Sequence, residues 1–149
     1  MNLILHFLLN YLVVDAVFGN AEKYLFYIFI FSLIVDLDHV PFFFKKKNKI
    51  FSKTGSKARS KFHELYGLTF FSIAISLFSI FVDKMIIKVI ALSLILHLAS
   101  DFFVGKTRPF YPYSKKEVFL NIIPVKYRVR FEIFATIILG AVLWLSIRS

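Results

Sequence analysis

Cysteine is absent from this chain, which excludes disulfides, thiolate metal sites and cysteine nucleophiles. Glycine is scarce, with five residues, and proline scarcer, with four, so collagenous and low-complexity architectures are excluded as well. Acidic side chains are few: nine Asp and Glu stand against nineteen Lys and Arg, a formal charge of +10. Apolar residues dominate what remains. Hydrophobic residues make up 58% of the 149 positions and aromatic ones 19%, with twenty phenylalanines, and mean hydropathy is +0.73. An ordinary soluble domain is only about 45–50% apolar. The composition therefore fits one membrane-embedded domain over residues 1–149. In a soluble protein the basic excess would point to nucleic acid. Here it is confined to loops between apolar runs, so membrane lipids are the expected partners and no nucleic acid is expected.

Five apolar segments are readable, at about Leu3–Phe18, Tyr24–Phe44, Leu65–Val82, Met85–Val104 and Phe131–Ile147. Crossing about 30 Å of hydrocarbon takes roughly 20 apolar residues. The expected fold is an all-α integral membrane bundle with about five transmembrane helices. Short polar joints at Gly19–Lys23 and Asp83–Lys84 impose antiparallel hairpins. The first segment has the length of a signal peptide, but it lacks a basic start and is interrupted by His6 and Asp15, so it is expected to be retained. Basic residues concentrate in two loops, Lys45–Lys61 and Gly105–Arg130. The charge bias of membrane proteins places both loops, with the N-terminus, in the cytoplasm and the C-terminus outside the plasma or inner membrane.

Against that background the ionisable residues inside apolar runs stand out. Each costs roughly 2.5–3.5 kcal/mol to insert, so by default it marks a functional site. All four histidines, His6, His39, His63 and His97, lie in or beside such runs, and three have acidic neighbours. With about 1.5 Å of rise per residue, they fall within roughly 15 Å of the inner boundary. Asp36 and His39 share a helix face, while Pro41 should kink or end the helix there and swing Asp38 toward the same centre. His97 and Asp101, four apart, also share a face, which suits two ligands of one ion or a ligand and its base. His63 opens the third segment; Arg59, four residues earlier, can bind an anionic group. Glu64 reads either as a base or as an acid favoured at a helix N-terminus. His6 is either a ligand or a satisfied interior polar residue. Asp15 lies nearer the opposite face and reads as structural or interfacial. The segment Arg108-Pro109-Phe110-Tyr111-Pro112-Tyr113 reads either as a lid or as an interfacial anchor.

The ordered set of His6, Asp36-Leu37-Asp38-His39, Arg59-Ser60-Lys61-Phe62-His63 and His97-Leu98-Ala99-Ser100-Asp101, followed by Pro109 and Pro112, resembles the YdjM-like membrane-bound metal-dependent hydrolases. The likeness spans about residues 6–113. Ala58 and Ser60 stand where that family commonly has His and Gly, and Phe62 and Glu64 where it has Thr and Ser; Arg59 and His63 are kept.

The resemblance and the residues together imply a hydrolase acting on a phosphoester or ester bond, with a lipid as a candidate substrate, at the cytoplasmic face. His39, His63, His97 and Asp101 are the expected ligands of a divalent metal, most simply Zn2+. Asp38 and His6 are further ligands, for the same ion or a second one. Asp36 or Glu64 is expected to accept the proton or orient a ligand imidazole, and Arg59 and Arg108 to neutralise an anionic headgroup or phosphoester. The alternative is a transporter or a proton/metal relay without hydrolase activity, since intramembrane His and Asp serve that purpose too.

Overall fold

The computed structural model describes residues 2–36, 65–104, 108–110, 113–114, 116–118, 120 and 122–148. These residues form five α-helices: α1 (Leu3–Phe18), α2 (Leu25–Leu33), α3 (Leu65–Phe78), α4 (Lys84–Val104) and α5 (Arg128–Arg148). Short 3-10 turns at Ala21–Tyr24 and Val125–Tyr127 lead into α2 and α5, and no β-strand occurs among the described residues. The expected all-α class is found.

Local chemistry sets the helix ends. Asn2 caps α1, its side-chain oxygen accepting from the Leu5 amide at 2.8 Å. At the other end Gly19 adopts φ +69° and ψ 163°, a region essentially reserved for glycine, and its amide donates to the Asp15 carbonyl. The Asp15 carboxylate accepts from the Ala21 amide at 3.0 Å, so this acid serves the turn between α1 and α2, as its position predicts. Asp83 opens α4 in the same manner, accepting from the Met85 amide at 2.7 Å.

The core forms where α1, α2 and α4 meet. Tyr11 and Val14 of α1, Ile28 of α2 and Val89 of α4 make one buried cluster with Ala21 and Tyr24. Val35, Phe71, Ile90 and Leu94 make a second, which brings α3 onto α4. Helix α5 packs along α1. Its outward surface remains apolar and exposed, including Ile133, Phe134, Ile137 and Trp144.

Among the described residues, two helices, Lys84–Val104 and Arg128–Ser146, are long and apolar enough to cross a membrane by length and composition. Helix α1 has 16 residues, a rise of about 24 Å against about 30 Å of hydrocarbon. Helix α3 is shorter still, with 14 residues. In the second segment the regular helix ends at Leu33 and continues as tighter turns through Asp36, while Pro41, where the sequence predicts a kink or an end, lies outside the described residues. Ser32 accounts for the early break. Its hydroxyl donates to the Ile28 carbonyl at 2.6 Å, a bond that bends helices. Its own carbonyl turns aside to a side chain of α4.

Candidate metal centre

Three helices deliver ionisable groups to one end of the bundle. His6 comes from the first turns of α1, Asp36 from the turn that follows α2, and His97 and Asp101 from the last turns of α4. The two imidazoles are fully buried and stacked, with centroids 3.9 Å apart and planes inclined by 11°. The carboxylates face their Nε2 atoms. His6 Nε2 is 3.4 Å from Asp101 Oδ1. His97 Nε2 is 3.7 Å from Asp36 Oδ1 and 3.9 Å from Asp101 Oδ2. One ligand atom from each of His6, Asp36 and His97 lies within 4.8 Å of the other two.

Hydrogen bonds fix which ring nitrogen carries the proton. His97 Nδ1 lies 2.9 Å from the Ser32 carbonyl, and a carbonyl only accepts, so Nδ1 donates. The Ser100 hydroxyl donates to the His97 carbonyl at 2.8 Å, which uses its one hydrogen. It must then accept from His6 Nδ1, 3.1 Å away. Both rings are therefore Nδ1–H, and both present an Nε2 lone pair to the carboxylates when neutral. Backbone and hydroxyl partners hold ligand imidazoles in this way at metal sites.

Lone pairs facing carboxylates repel unless a cation lies between them. A proton on Nε2 or a cation shared by the donors removes that repulsion, and only the shared cation engages both rings at once. The spacing fits as well: donors about 2.0–2.1 Å from a tetrahedral ion stand about 3.4 Å from each other. Separations of 3.4, 3.7 and 3.9 Å, the first and last to different oxygens of Asp101, approach that value. Two imidazoles with one or two carboxylates are a donor set of the kind found in catalytic zinc sites. Asp36 is the most open of the four, its side chain 26% exposed, so the cluster reaches the surface on that side.

Of the residues singled out in the sequence, the structure brings together His6, Asp36, His97 and Asp101. Asp36, read as a base, also offers a ligand oxygen. Arg108 is half-buried and lies beyond the same end of α4 as Asp101. Asp38, His39, Arg59, His63 and Glu64 lie outside the described residues. Sequence reasoning passed over Ser32 and Ser100, the groups that orient the rings. The signal was available: each is a polar residue inside an apolar helix, Ser32 four before Asp36 and Ser100 three after His97.

No curated relative and no solved structure matches the chain. A family model described as YdjM inner membrane protein matches residues 1–149, and with the whole sequence covered the chain belongs to that family.

Proposed function

We propose that this protein is a membrane-bound metal-dependent hydrolase that cleaves a phosphoester or ester bond at the cytoplasmic face, with a lipid as a suitable substrate. The observation that carries the reading is the pair of stacked imidazoles, both locked as Nδ1–H, whose Nε2 atoms converge on Asp36 and Asp101. His6, His97, Asp36 and Asp101 would hold the ion, and His39, His63 and Asp38 join the proposed ligand set on the sequence pattern. When bound, a divalent ion such as Zn2+ would supply Lewis acidity, polarising a scissile bond and lowering the pKa of bound water to roughly 7.

The chain's own residues do the rest. Ser32 and Ser100 hold the rings in register, and the apolar walls of α1 and α4 exclude bulk water. Asp36, at the open side, is placed to take a proton from an entering water molecule. Glu64 is the other proposed base, and Arg59 and Arg108 the proposed anion-binding pair. A transport path is less well supported. Beyond one further polar turn at Asn10, Ser32 and Ser93, the same three helices close with Tyr11, Val14, Ile28 and Val89, an apolar plug that ends the polar groups.

Metal analysis of detergent-purified protein, together with release of water-soluble product from a phospholipid panel, tests the proposal. Stoichiometric metal and product release are expected, both lost in His97→Ala and Asp101→Ala. Stoichiometric metal without cleavage of any ester would shift the reading to a metal relay. No metal would end it.

A further inference from the structure

One helical turn from the cluster lies a second polar tier. Asn10, Ser32 and Ser93 are all fully buried. Each stands four residues from a member of the cluster: Asn10 after His6, Ser32 before Asp36, Ser93 before His97. Helix α1 runs antiparallel to α2 and α4. His6 opposes His97 and Ser100, whereas Val14 shares a cluster with Ile28 and Val89. A step of four on each helix therefore leads in the same direction, about 6 Å away from the cluster. Asn10 and Ser93 consequently lie at one depth, between the metal donors and the apolar plug.

The tier is wired to His97. Asn10 Nδ2 donates to the Ser32 hydroxyl at 2.7 Å, and that hydroxyl donates to the Ile28 carbonyl at 2.6 Å. Pinned at both ends, Ser32 presents its carbonyl to His97 Nδ1 at 2.9 Å. The Ser32 hydrogen is already used, so only the amide nitrogen of Asn10 can face it, and Asn10 Oδ1 points elsewhere. Asn10 Oδ1 and Ser93 Oγ are buried without a hydrogen bond among the described residues. Each bare group costs about 1–3 kcal/mol. Polar atoms in such a setting are ordinarily satisfied by an ordered internal water.

We infer that this tier is a positioning device for the metal centre: Asn10, bracing Ser32 and sharing one buried water with Ser93, sets the tautomer and reach of His97. Asn10 touches neither ion nor substrate; it acts through Ser32. The inference rests on the proposed metal site and deepens it.

Zinc affinity, measured by competition with a chromophoric chelator, and the ring-nitrogen shifts of 15N-histidine protein test it together. Asn10→Ala should weaken zinc binding about tenfold, at the lower end of the effect of losing an outer partner of a ligand. The Nδ1–H signal of His97 should broaden or move even without metal. Ser32→Ala should do the same, and the double variant should cost no more than the larger single, since both act along one path. Asn10→Leu with Ser93→Ala removes both orphaned groups at once. That pair should stay folded and still bind zinc less tightly. Ser93→Ala alone should melt below that pair, because it leaves Asn10 Oδ1 bare.

Wild-type zinc affinity in the Asn10→Ala and Asn10→Leu/Ser93→Ala proteins would overturn the inference, whatever their melting temperatures. A Ser93→Ala protein as stable as the wild type would remove the shared water. If wild-type protein binds no divalent ion, the hydrolase proposal falls by itself. The metal-free His97 shift then decides the positioning role: moved by Asn10→Ala it stands, unmoved it does not.

Discussion

Replacing Asp36 by asparagine keeps the shape of the side chain and removes one negative charge, and the geometry gives that change opposite signs with and without metal. Asp36 and Asp101 flank the same His97 Nε2 at 3.7 and 3.9 Å, so the facing oxygens are no more than about 7.6 Å apart. Two unit charges at that distance repel by about 2 kcal/mol at an effective dielectric constant of 20. Partial exposure of Asp36 reduces this to about 1–2 kcal/mol. In metal-free protein, Asp36→Asn relieves that repulsion, which contributes an upward shift of roughly 2–8 °C to the melting temperature. With metal the sign reverses, because the ion loses an anionic donor. Ligand-induced stabilisation reaches about 4 kcal/mol when free ligand is a thousandfold above its Kd, and it shrinks by about 1.4 kcal/mol for each tenfold loss of affinity. Thermal melting in detergent, with excess Zn2+ and with a chelator, reads both effects on one sample. The curves for variant and wild type should cross over. A variant that melts lower than wild type in chelator, or that keeps the full zinc shift, refutes the electrostatic reasoning behind the centre.

Other expectations follow from single features. Gly19→Ala meets no neighbouring atom within 4 Å, so its cost is backbone alone. About 1–3 kcal/mol of stability should be lost, measured against Gly140→Ala, where space is also open and the helix is regular. Asn2→Ala removes the α1 cap and the 3.5 Å contact to Thr136 of α5, and should cost about 1 kcal/mol. Trp144 is the sole tryptophan and projects from the exposed side of α5. Its fluorescence in reconstituted vesicles should be quenched by brominated acyl chains and spared by aqueous iodide. Strong iodide quenching with silent bromolipid would remove α5 from the membrane.

Much of this arrangement could be read from residue order, for physical reasons that differ by element. Helices α1 and α4 match their predicted ends closely because a cap and a glycine bracket one and Asp83 opens the other. The convergence of His6, His97 and Asp101 was foreseeable because ionised groups avoid lipid and therefore gather on inward faces. The end of α2 was not foreseeable. Pro41 lies outside the described residues, and the change at Leu33 follows from Ser32, whose carbonyl is drawn to His97, 65 positions away in sequence. Tertiary contacts of that kind leave no trace in local periodicity. The tautomers were equally hidden, since they depend on where a single serine hydrogen is used.

His6 and Ser100, which bond across 94 positions of sequence, belong to the first and fourth helices. During synthesis the earliest imidazole therefore waits, without its partner, until α4 has emerged and docked. No fragment ending before Ser100 can assemble the centre. Loading of the proposed ion would then be a late event in biogenesis, and the ion would act as a clasp joining the beginning of the polypeptide to its distant middle.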